Sequence, residues 1–157
     1  IKLNISKWRR PAPNTIPWDS KAAGLYMICT LSKHEAERQG YSESLMLDHE
    51  GNVAESTSAN VFFKDNNGEL HTPIPDCFLD GITRRTVIDI AKSKNIKVHE
   101  RKILPEELKN FAGCFLTGTA AEITPVSKIA ENNYKVCDLI IDLSSSYGKL
   151  VRKKKAA

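Results

Sequence analysis

The sequence predicts a mixed α/β domain, and three observations lead there. A β-rich middle stretch is punctuated by turn residues. Helical periodicity appears at residues 83–94 and 138–151. The length of 157 residues suits one domain with a real core. Hydrophobic residues at 41% and charged residues at 27% place the chain in the ordinary globular range, away from disorder.

Ile1 to Trp8 alternates loosely and reads as a strand. Arg10 to Ile16 and Pro17 carry three prolines, which remove donors and fix backbone angles, so a constrained loop follows. Lys21 to Gln39 favours a helix with Lys21 near its start, closed by Gly40. Ser44 to Asp48, a turn at His49–Asn52, Asn60 to Lys64, a turn at Asp65–Gly68 and Glu69 to Thr72 suggest an antiparallel meander.

Thr83 to Lys94 places Val87, Ile90 and Ala91 on one helix face, and Asn95 closes it before a strand at Ile96 to Glu100. Pro105 to Asn110 is a short helix, while Gly113 to Leu116 and Thr124 to Ile129 are strands. The last helix, Asp138 to Val151, carries Leu139, Leu143, Tyr147 and Leu150 at core spacing. Neither repeats nor low-complexity segments are present.

Charge and cysteine patterns exclude several functions. The net charge of +4 is largely terminal, from Lys7, Arg9 and Arg10 at one end and Arg152, Lys153, Lys154 and Lys155 at the other. A solvated tail, rather than a nucleic-acid surface, is the expectation. Cys29, Cys77, Cys114 and Cys137 lie far apart without metal-ligand spacing, which suggests free thiols in a reducing cytoplasm and no metal. No apolar run approaches the roughly 20 residues of a spanning helix. The start has no initiator methionine and no secretory signal pattern, so the chain reads as cut from something longer.

Four segments carry the chemistry: Ser20 to Tyr26 (SKAAGLY), Val53 to Phe62 (VAESTSANVF), Leu79 to Arg84 (LDGITR) and Leu116 to Val126 (LTGTAAEITPV). In this order they resemble class IV aminotransferases, and the resemblance runs from Lys21 to Val151. It implies the large cofactor-binding domain of the D-amino-acid aminotransferase-like fold over residues 21–157. Residues 1–20 would form a leading strand and interdomain loop, and the family's N-terminal small domain has no counterpart in this chain.

The resemblance implies pyridoxal 5'-phosphate as cofactor and assigns roles. Lys21 is the expected catalytic residue, holding the cofactor as a Schiff base and shuttling a proton. Glu55 faces the pyridine nitrogen and Tyr26 the phenolic oxygen. Gly81, Ile82 and Thr83 open a helix whose amides and dipole suit the phosphate. Gly118 and Thr119 are the expected second half of that cradle. Leu79 would contact the ring, and the amides of Thr119 and Ala120 would meet the substrate carboxylate. Ser58, Asn60, Arg84 and Glu122 read as structural.

Within the class, Gly24, Tyr26 and the segment Gly118 to Val126 are similar to the branched-chain enzymes, although Leu25 stands where those have asparagine. This implies transamination of L-leucine, L-isoleucine and L-valine with 2-oxoglutarate by a homodimer or higher homo-oligomer. D-amino-acid aminotransferase, aminodeoxychorismate lyase and a truncated non-catalytic module are the alternatives.

Overall fold

The computed structural model describes residues 1–152. Lys153, Lys154 and Lys155, part of the expected basic tail, lie outside the described residues. Within 1–152, ten strands form two five-stranded sheets. Sheet A contains β1 (Lys2–Arg9), β2 (Glu43–Leu47), β3 (Val53–Ser56), β9 (Lys128–Ile129) and β10 (Asn132–Asn133), in the order β10-β9-β1-β2-β3. Sheet B contains β4 (Asn60–Lys64), β5 (Leu70–Thr72), β6 (Val98–Glu100), β7 (Gly113–Gly118) and β8 (Glu122–Val126), in the order β6-β5-β4-β7-β8. The helices are α1 (Met27–Arg38), α2 (Ile82–Ser93) and α3 (Asp138–Val151).

The alternation of side chains along β4 and β7 explains why the centre of sheet B is apolar on both faces. Val61, Phe63, Cys114 and Leu116 enter one core shared with Leu3, Leu45 and Val53 of sheet A. Phe62 and Phe115 point to the opposite face, stacked with ring centroids 5.1 Å apart, where Val87, Ile88 and Ala91 of α2 and Ile140, Leu143 and Tyr147 of α3 cover them. A strand buried on both faces loses the in-out polarity of a half-exposed one.

Several expectations change. The helix expected from Lys21 begins at Met27. Ala22 is extended (φ −88°, ψ 138°) without a side-chain cap, and Ala23–Leu25 makes only a 3₁₀ turn. Its end is as expected, with Gly40 at φ +80°. The expected meander is divided between two sheets, because β2 and β3 pair in sheet A while β4 and β5 pair in sheet B. The single strand expected over Thr124–Ile129 is likewise two, since β8 pairs with β7 and β9 with β1.

Pro105–Asn110 is a 3₁₀ helix. On α3, Ile140 is buried and Leu150 is 52% exposed, the reverse of the expected role for Leu150. Asn95 closes α2 as expected, at φ 58°. The cysteines are free, and Cys29, Cys77 and Cys114 are buried. No described helix is long and apolar enough to cross a membrane.

Candidate active site

The link between β3 and β4 carries the chain from one sheet to the other in three residues, Thr57, Ser58 and Ala59. All three line a cleft of about 500 Å³, a size that suits a small cofactor or substrate. The wall also includes Arg10, Trp18, Lys21, Tyr26, Glu55, Leu79, Gly81, Ile82, Thr83, Thr117, Gly118 and Thr119. Nine of the ten residues singled out from sequence therefore share one cavity. Ala120 does not line it, and lies exposed in the turn between β7 and β8.

Glu55 sits on β3 with 12% of its side chain exposed. It accepts no hydrogen bond from the described residues, and burial pushes its carboxyl up to about 8, with Arg10 pulling the other way. Tyr26 is raised first by burial and then by the charge of Glu55, which keeps its hydroxyl protonated. Lys21 is exposed in the irregular stretch before α1.

The other end of the cleft is built for an anion. Gly81 caps α2 with no side-chain cap hydrogen bond, leaving first-turn amides open. Thr117, 1% exposed on β7, has a buried hydroxyl with no partner among the described residues. Thr83 is buried and its hydroxyl is 3.3 Å from that of Tyr147.

The sequence motif gives Gly81 the task of permitting close approach of a phosphate, and the structure gives a different reason for its small size. Its φ is −65°, which any residue adopts, but an added Cβ would lie 2.5 Å from Asn60 Oδ1. The Asn60 carboxamide accepts from Gly81 N–H at 3.1 Å and donates to Leu79 O at 2.9 Å. Asn60 thus fixes the loop that carries both Leu79 and the start of α2. Arg84, 1% exposed, holds the same turn through Asp80 and Glu100 at 2.8 Å each and through Pro73 O at 3.1 Å. Behind Thr57 and Ser58, the Glu43 carboxylate accepts from both hydroxyls and from Lys33.

Sequence reasoning misses Arg10, Trp18 and Thr117. The charge pattern counts Arg10 in a basic run, yet it is 3% exposed. No local signal separates it from Arg9; only its tertiary partners do.

The chain matches the family "Amino-transferase class IV" over residues 1–129. It is 43% identical to a probable branched-chain-amino-acid aminotransferase of Rickettsia bellii, across 97% of this chain and 54% of that protein. Among solved structures, the branched-chain aminotransferase from the thermophilic archaeon Thermoproteus uzoniensis with norvaline superposes with a TM-score of 0.91 at 36% identity, covering 96% of this chain and 50% of that one. An aminotransferase from Brucella abortus bound to the cofactor PLP gives 0.89 at 30%, covering 95% and 53%. The two-sheet α/β fold agrees with these structures. The chain spans about half the length of the curated relatives it matches.

Proposed function

Because the chain belongs to the class IV aminotransferases, we propose that it forms the pyridoxal-phosphate-binding part of an enzyme that transaminates branched-chain L-amino acids with 2-oxoglutarate. In this reading the cofactor-binding unit spans residues 21–157 and residues 1–20 lead into it; β1 is a central strand of sheet A. The complete enzyme is taken to be a cytoplasmic homodimer or larger homo-oligomer.

One observation carries this reading: an amine, a phenol, a buried carboxyl and an anion cradle line the same cleft. Those groups suit pyridoxal phosphate, whose ring nitrogen is a cation when protonated and whose phosphate is an anion. The open amides of α2 and the unpartnered Thr117 hydroxyl supply donors at one end. At the other end, Glu55 lacks a hydrogen-bond donor.

When bound, the cofactor supplies an aldehyde and an electron-withdrawing ring. Lys21 Nζ would be the amine that holds it and the group that would move a proton at the substrate α-carbon. Glu55 would hold the ring nitrogen protonated, and Tyr26 would donate toward the phenolic oxygen. Gly81, Ile82, Thr83, Gly118 and Thr119 hold the phosphate, while Leu79 limits the ring's position. The amide of Thr119, which lines the cleft, would receive the substrate carboxylate, whereas Ala120 lies outside it.

Borohydride reduction in the presence of pyridoxal phosphate, followed by peptide mass mapping, tests the assignment. A single reduced adduct on Lys21 is expected. Adducts scattered over surface lysines, or none, would overturn it.

A further inference from the structure

Arg10 stands where several segments meet. It follows β1, and its backbone N–H donates to Leu47 O at 2.8 Å. From the side chain, Nε donates to Cys77 O at 3.3 Å, and one terminal nitrogen donates to Leu25 O at 3.2 Å and to Cys29 Sγ at 3.5 Å. Nε also lies 3.5 Å from Glu55 Oε1, with the two side chains 4% and 12% exposed. A guanidinium this enclosed needs an anion nearby, and Glu55 is the carboxylate within ion-pair distance among the described residues.

We infer that Arg10 is a positioning residue that acts through Glu55, favouring ionisation of this carboxyl against its burial and keeping it directed into the cleft before any ligand arrives. The inference rests on the cofactor reading above for its catalytic meaning, but the Arg10–Glu55 relationship stands on geometry alone.

The surroundings favour this role. The titratable groups around the pair are Tyr26, Cys29 and Cys77, all raised chiefly by burial and therefore neutral at ordinary pH. None of them offers Glu55 a positive charge. Burial alone drives the carboxyl toward its neutral form, and Arg10 is the opposing influence. The carbonyls of Leu25 and Cys77 prevent the guanidinium from swinging away. They also connect the ion pair to the segment bearing Lys21 and Tyr26 and to the loop leading to Leu79, so the carboxylate's charge and the cleft's shape depend on one side chain.

Two variants separate charge from scaffolding. Arg10→Gln keeps a donor for the carbonyls and removes the charge; Arg10→Lys keeps the charge and loses the fork. Infrared titration of the ligand-free protein, with Glu55→Gln as the subtraction reference, reports the Glu55 carboxyl directly. Arg10→Gln should move its midpoint up by about one pH unit or more, a tenfold rise in proton affinity, and Arg10→Lys should restore most of the difference.

Equilibrium binding of pyridoxal phosphate near neutral pH should weaken by about the same tenfold factor in Arg10→Gln and recover in Arg10→Lys. A folded Arg10→Gln with an unmoved Glu55 midpoint would overturn the inference, as would equal shifts in both variants. If the midpoint moves as expected but the unaltered protein fails to bind pyridoxal phosphate, the cofactor reading falls and the role of Arg10 on Glu55 stands.

Discussion

Asn60 and Gly81 exclude a side chain from each other's space: the carboxamide that pins the α2 turn occupies the position where a Cβ on residue 81 would project, 2.5 Å from its oxygen. Asn60→Ala removes two part-buried hydrogen bonds and should cost about 2–3 kcal/mol, whereas Gly81→Ala should cost about 1–3 kcal/mol by overpacking. Once the carboxamide is gone the methyl has room. The double variant should therefore be more stable than the sum of the singles by about 1 kcal/mol or more. Denaturant unfolding of all four proteins measures this, and strict additivity would contradict the clamp.

The pH dependence of stability follows from Glu55. Its folded value of about 8 lies above the ordinary carboxylate value of 4.5, so from pH 4.5 to 8 the unfolded chain binds fewer protons than the folded one. Stability contributed by the neutral carboxyl is complete below 4.5 and is lost as pH rises through 8. The ligand-free protein should lose on the order of 3–5 kcal/mol from this group across the window. Glu55→Gln should remove that part of the slope in urea unfolding at pH 5 and pH 8. In the holoenzyme the same variant should retain the cofactor and slow α-proton removal by about 10²–10³-fold, read by loss of deuterium from a labelled substrate.

Thr117 offers a test in which stability and binding change in opposite directions. Its hydroxyl is buried without a partner among the described residues, so Thr117→Val should raise the ligand-free protein's stability by about 1 kcal/mol. Inorganic phosphate should bind about tenfold more weakly, the loss of one hydrogen bond to a charged group. Thermal melting with and without phosphate gives both signs, and a variant that binds phosphate unchanged removes Thr117 from the cradle.

Lys21→Ala should abolish the borohydride-trapped adduct while leaving the fold intact, because Lys21 is exposed and outside any helix. Steady-state transamination in the complete enzyme should fall by at least about 10²–10⁴-fold. A variant that retained appreciable turnover would remove Lys21 from the chemistry.

The sequence conveyed α2 and α3 well because their apolar residues recur at helical spacing and end at Asn95 and near Val151. It conveyed α1 less well. The small residues of Lys21–Tyr26 suit a helix by propensity, and only the extended Ala22 shows that the chain delays. The assignment of strands to two sheets was not legible either, since β8 and β9 are separated by Ser127 alone and their partners are distant in sequence. At the cleft, residue types within contiguous motifs could be recognised. Arg10 could not, because its meaning depends on Leu25, Glu55 and Cys77, which only folding brings beside it.

The short passage from β3 to β4 has a consequence for what the cleft selects. Glu55 belongs to sheet A, whereas Gly81 and Thr117 belong to sheet B and the helix packed on it. The stretch from Glu55 to Asn60 joins the two, at most about 17 Å of extended chain, and Ser127 joins them again between β8 and β9. The carboxyl and the anion cradle are therefore carried by different sheets, tied together by these two short links. In the proposed reading, a ligand that meets both is one whose cationic and anionic ends are spaced to reach Glu55 and the start of α2 together.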